Sequence, residues 1–178
     1  MAALQEMSMI LRDKRRLAVW ASGVLAALLW LMMAWQLRVL TPGVVALQFA
    51  WDPQTFGRII HVWSPEDLAL YRRFLLVDHG FLLAYGAFGW LLATRTRVFV
   101  SLSAGLQGFA RVCLPLAAAL DALENAFHGW LTEMPRFDVP WLYGLSTTCS
   151  ALKWSLLLVF GALLLWAIAV ADERLVRD

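Results

Sequence analysis

The sequence predicts an all-α protein, an integral membrane bundle of four helices with a long, partly apolar outer loop between helices one and two. Three observations predict it. Hydrophobic residues make up 61% of the 178-residue chain and charged residues only 16%, against ~45–50% and ~25% in an ordinary soluble domain. Four segments hold the ~20 mainly apolar residues that a bilayer crossing requires. Ten tryptophans are present, and an indole favours membrane interfaces because its ring is apolar while its N–H wants a partner. The whole chain, residues 1–178, reads as a single transmembrane domain with the lipid bilayer as its first partner. A net charge of +2, with no basic run interleaved with aromatics, excludes nucleic acid.

The first apolar segment is Leu17–Leu37, broken only by Ser22, Gly23 and Gln36. It follows the basic stretch Arg12–Arg16, as the apolar core of a signal peptide does. Its apolar run is too long for such a core and no A-x-A site follows, so it is expected to be an uncleaved anchor. Residues Gln5–Leu17 read as a basic interfacial helix. The second segment is Phe74–Ala93, interrupted by Asp78 and His79, and the third is Leu102–Leu131, interrupted by Arg111, Asp121, Glu124, Asn125 and His128. The fourth, Trp141–Val170, contains Lys153. With their flanks, the four transmembrane helices are expected at 17–40, 68–93, 102–131 and 141–170. Pro115 is positioned to kink the third, and Gly80 with Ala84 forms a small-xxx-small pattern for close helix approach in the second.

The connections differ in kind. Helices two and three are joined by a short turn around Thr94–Arg97, which makes them antiparallel neighbours, and three and four are joined across Thr132–Pro140. The connection Thr41–Trp63 is long and rich in Val, Leu, Ile, Phe and Trp, so it is expected along the membrane surface or folded over the outer mouth of the bundle. Ser64-Pro-Glu-Asp67 then starts helix two, with Ser64 as N-cap and Pro65 at the first helical position, before that helix enters the membrane. Placing the N-terminus inside puts Arg12, Lys14, Arg15, Arg16, Arg95, Arg97, Arg174 and Arg177 on the cytoplasmic face, and Arg38, Arg58, Arg72, Arg73 and Arg136 outside. An inner-membrane location with both termini cytoplasmic follows, and Arg111 is expected to snorkel to that side. Cys113 and Cys149 fall at opposite depths on different helices, which suits two separate buried thiols better than a disulfide.

The chemistry lies in the charged residues inside the spans. Each costs ~2.5–3.5 kcal/mol at the centre of a membrane helix, so such groups face the protein interior. Asp78, Asp121, Glu124 and Lys153 all fall in the outer half of the bilayer. Asp121, Glu124, Asn125 and His128 follow an i, i+3, i+4, i+7 pattern and share one helix face. The candidate ligand or proton site is therefore Asp78, His79, Asp121, Glu124, Asn125, His128 and Lys153. Three acids against one lysine leave excess negative charge unless a cation joins or a carboxyl keeps its proton.

Asp78-His79, Asp121-Ala-Leu-Glu-Asn125 and Lys153-Trp154 together resemble a family of small bacterial four-helix membrane proteins, with His79 standing at the place of an aromatic. The resemblance covers most of the chain; it implies the fold and the location of the site and adds no chemistry. Four readings of the cluster follow. It could pair helices and do nothing more, as in a structural or assembly subunit. It could bind or handle, with proton coupling, a lipid-like or cationic small molecule, and a transporter this thin would then work as a homo-oligomer. It could serve a membrane-embedded acid–base enzyme on a lipid substrate, by analogy with four-helix sterol isomerase-like proteins. Lastly, Asp121, Glu124 and His128 could ligate a metal, but the chain has Glu-x-x-x-His once where di-iron bundles repeat Glu-x-x-His. Haem would need His79 and His128 face to face. No metal and no cofactor is expected, and nucleophile elbows, P-loops and CxxC pairs are absent.

Overall fold

A backbone in hydrocarbon must satisfy its own N–H and C=O groups, so each apolar segment becomes a helix. The computed structural model describes residues 2–177, and the side chains of 16–171. Among the described residues six α-helices follow one another: α1 (Ala2–Leu37), α2 (Val44–Gln48), α3 (Pro53–Val62), α4 (Pro65–Arg95), α5 (Ala104–Leu131) and α6 (Pro140–Arg177). A 3-10 turn, Val98–Ser101, links α4 to α5. Among the described residues, four segments are long and apolar enough to cross a membrane: Arg16–Leu37, Pro65–Arg95, Ala104–Leu131 and Pro140–Ala171. The chain is a multi-pass membrane protein built as a helical bundle. The basic N-terminal stretch runs without a break into the first span as one helix; its side chains up to residue 15 lie outside the described set.

Local chemistry sets the helix boundaries. Ser64 accepts from the Asp67 N–H while the Asp67 carboxylate accepts from the Ser64 N–H, a reciprocal capping box with Pro65 just inside it. α4 has 31 residues. At 1.5 Å per residue that is about 46 Å, against a hydrocarbon core of ~30 Å. It is therefore long enough to project beyond the bilayer. Pro115 lies inside α5, which continues through it from Ala104 to Leu131.

The four long helices pack in the order α1, α4, α5, α6, each against the next. Two apolar clusters result. One lies toward the α4–α5 turn, where Leu82, Tyr85, Phe99, Cys113, Leu114, Ala117 and Phe160 are buried together. Close approach of α4 to α5 there rests on Gly86 and Gly89. A Cβ on Gly89 would sit 2.5 Å from the Leu114 Cβ, and one on Gly86 would sit 3.2 Å from the Ala118 Cβ. The small-residue contact expected at Gly80 is thus made elsewhere: Gly80 is exposed, with Leu29 as its nearest neighbour at 3.9 Å. Cys113 and Cys149 are buried free thiols.

The second cluster is the cap. The Thr41–Trp63 connection forms α2 and α3 and folds over the bundle mouth, burying Leu47, Phe56, Ile59, Ile60 and Trp63 against Tyr71, Leu131 and Tyr143. Asp52 caps α3, accepting from the Thr55 backbone N–H at 2.8 Å and from its hydroxyl at 2.7 Å. Those two hydrogen bonds, the hydroxyl's first, hold the Asp52 carboxyl below the usual carboxylate range. The Trp63 indole donates to the Pro42 carbonyl, and the Arg136 N–H donates to the Tyr143 hydroxyl, so the aromatic cap carries its polar tips satisfied.

Candidate functional site

Between the two apolar clusters lies a polar layer. Lys153 of α6 is 3% exposed, and its ammonium donates to Asp121 Oδ1 and Glu124 Oε2, each at 2.7 Å. Both acceptors come from one face of α5, three residues apart, as the periodicity requires. Asn125, one position on, donates its amide to Asp78 Oδ2 of α4 at 2.5 Å. The Tyr85 hydroxyl reaches Asp121 Oδ2 at 3.4 Å. Three helices are thus joined through six polar side chains, and Lys153 alone cannot neutralise the three carboxyls among them. Glu124 Oε1 is buried without a hydrogen-bond partner, as is Ser146 Oγ on α6.

Asp78, Asp121, Glu124, Asn125 and Lys153 come together as expected. The two histidines do not join them. His79 is exposed and its ring N–H donates back to the Leu75 carbonyl of its own helix at 2.6 Å. Successive residues on a helix point ~100° apart, so a helix that turns Asp78 inward turns His79 away. His128 is 1% exposed but belongs to the cap: its Nδ1 pairs with the Tyr71 hydroxyl at 2.5 Å, and Phe56 packs edge-on to its ring. Asp121 and Glu124 therefore turn to Lys153 while His128 turns to Tyr71. Among the described residues, no group of three or more metal-ligating side chains is placed to hold an ion.

Tyr71 and Tyr85 were not among the sequence candidates. Their signal was present: Tyr71, Asp78 and Tyr85 are spaced by sevens, which puts them on one face of α4. Gln48 was missed for another reason. The Trp154 indole donates to Gln48 Oε1 at 3.2 Å across 106 residues, and no local pattern announces such a pair.

The polar layer floors a cavity of about 440 Å³. Asp78, Asp121, Asn125 and Lys153 form the floor. Its walls are apolar and come from Trp30, Met33 and Leu37 of α1, Phe74 and Phe81 of α4, and Trp154 and Leu157 of α6, while α2 contributes Val44, Val45 and Gln48. Because α1 packs on α4 and α6 packs on α5, the cavity is a cleft between α1 and α6, with Arg38 at its rim stacked on Trp35. A site of this kind can take an amphipathic molecule, with its polar head on the carboxylates and its chain along the walls. No protein family, no curated protein and no solved structure matches this chain. The resemblance to small bacterial four-helix membrane proteins therefore rests on the quoted positions in the three spans.

Proposed function

We propose that the cleft between α1 and α6 binds a lipid-like or cationic amphipathic small molecule and couples its handling to a proton on the cleft carboxyls. One observation carries this: a single cavity joins an acidic floor to an apolar wall. Its volume falls within the ~300–1,000 Å³ of ordinary ligand sites. The excess of carboxyls over ammonium favours a cationic or hydrogen-bond-donating head, and the walls favour one hydrocarbon chain. Asp78 is the natural proton carrier, since its partner Asn125 is neutral while Asp121 and Glu124 share Lys153. An inner-membrane setting with both termini cytoplasmic agrees with the basic residues at the α4–α5 turn end. Binding needs one chain; transport through so thin a bundle would use a homo-oligomer.

A second reading has its own support. Asp78 and Asp121 face one cavity from different electrostatic surroundings, one beside an amide and the other beside an ammonium, which is the arrangement an acid–base enzyme needs on a lipid substrate. Native mass spectrometry of protein released from mild detergent tests the binding reading, followed by titration with a single-chain quaternary ammonium amphiphile. The expected result is a bound mass, with affinity for the amphiphile lowered roughly tenfold or more in Asp78→Asn and Asp121→Asn, as for loss of one charge from a desolvated pair. Unchanged affinity in both folded variants would leave the cluster as a helix staple. Conversion of the co-purified molecule by wild type, and not by Asp78→Asn, would select the enzyme.

A further inference from the structure

A second cavity, of about 390 Å³, lies at the opposite end of the bundle, where α4 turns into α5. Arg97 enters it from the connection and Arg111 from α5, with Thr94, Thr96, Gln107 and Phe99 completing the wall. The neutral polar groups are already committed to the backbone. The Thr94 hydroxyl donates to the Trp90 carbonyl, the Thr96 hydroxyl to the Leu92 carbonyl, and the Gln107 amide to the Leu102 carbonyl. The two guanidiniums are the charged donors offered to the cavity. Among the described residues neither arginine pairs with a carboxylate, and no acid lines the cavity.

Depth supplies the second argument. Arg111 lies seven residues into α5, about 10 Å along its axis, on a helix that carries exposed Phe109 and Val112 beside it. A guanidinium at that level extends toward the headgroup region while its neighbours remain against acyl chains. Val100 is exposed at the mouth of the same cavity. Charge on the floor and apolar surface at the flank match a phosphodiester that carries hydrocarbon tails.

We infer that the Arg97–Arg111 cavity is a binding site for the phosphate headgroup of an anionic phospholipid. It is separate from the α1–α6 cleft and does not depend on how that cleft is used. Paired guanidiniums suit the site because each presents a planar set of donors that a phosphate accepts bidentately. Basic pockets between membrane helices recognise anionic headgroups by this chemistry.

The test offers the full-length protein phosphatidylglycerol and phosphatidylcholine of equal chain length in mild detergent, and counts retained lipids by native mass spectrometry. Wild type is expected to retain phosphatidylglycerol in preference, and the preference should fall as salt rises. Arg97→Gln and Arg111→Gln should each lower it about fivefold, the factor that ~1 kcal/mol per basic residue corresponds to, while Arg111→Lys keeps most of it. Arg58→Gln, at the cap end, should leave it intact. A wild-type protein with no preference between the two lipids overturns the inference without any variant. Displacement of the lipid by millimolar inorganic phosphate would make this a site for the free anion and would overturn the lipid assignment. Destabilised Arg111→Gln with unchanged lipid preference would show the arginines to be structural.

Discussion

The two halves of the bundle hold their helices together by opposite means. Toward the α4–α5 turn, contact is backbone-close: Gly86 and Gly89 bring α4 against Leu114 and Ala118 with no room for a Cβ at Gly89, and fully buried alanines fill the rest. Toward the cap, long side chains bridge α4, α5 and α6. Asn125 reaches Asp78, Tyr71 reaches His128, and Lys153 reaches two acids. Small residues in lipid let helices meet by van der Waals packing, whereas polar side chains join them by interhelical hydrogen bonds. The cleft lies at the bridged level. A second core of Phe56, Trp63 and Tyr143 closes the mouth above it.

This contrast can be broken most severely at Lys153. Lys153→Met strands Asp121 and Glu124, two buried carboxylates, and loss of one partner from a buried ion pair costs ~3–5 kcal/mol. Reversible unfolding in mixed micelles should show that loss. Because both acids share the ammonium, Asp121→Asn alone should rescue only part of it, and Asp121→Asn with Glu124→Gln most of it. Full rescue by one change would mean that one of the two contacts is weak.

The apolar half responds to bulk where the polar half responds to charge. Gly89→Ala places a methyl against Leu114 and should cost ~1–3 kcal/mol, the usual penalty of overpacking, while Gly80→Ala should leave the unfolding midpoint unchanged. Equal effects at the two glycines would refute the close approach at the turn end.

The smallest effect belongs to the cap surface. Hydrogen bonds from Thr55 depress the Asp52 carboxyl below its ordinary 3.8. A depressed carboxyl adds stability above its unfolded value and loses it as pH falls through the folded one. The protection of α3 amides, measured as exchange relative to the intrinsic rate at each pH, should therefore fall on acidification below that range, and Asp52→Asn should abolish the pH step. Protection that does not change with pH would remove Asp52 as the cap of α3.

Much of the site was legible because helical periodicity is local. Asp121, Glu124 and Asn125 share a face whatever surrounds them, and charge in lipid must turn inward, so α5 could be oriented from its own residues. Asp78 could be placed in the interior by the same reasoning. His79 could not be excluded, because a helix rotated by ~100° would have buried it in place of Asp78. His128 was rightly set on the α5 face, yet its partner Tyr71 sits on another helix and its neighbour Phe56 on the cap. Composition and hydropathy determined the four spans, the Ser64 cap determined where α4 begins, and period determined the inward face of α5. Which carboxyl holds the lysine, where α4 and α5 meet most closely, and the cleft between α1 and α6 were decided only by packing. Each of these depends on the rotation and separation of neighbouring helices, and those are set by side chains far apart in the chain meeting at close range.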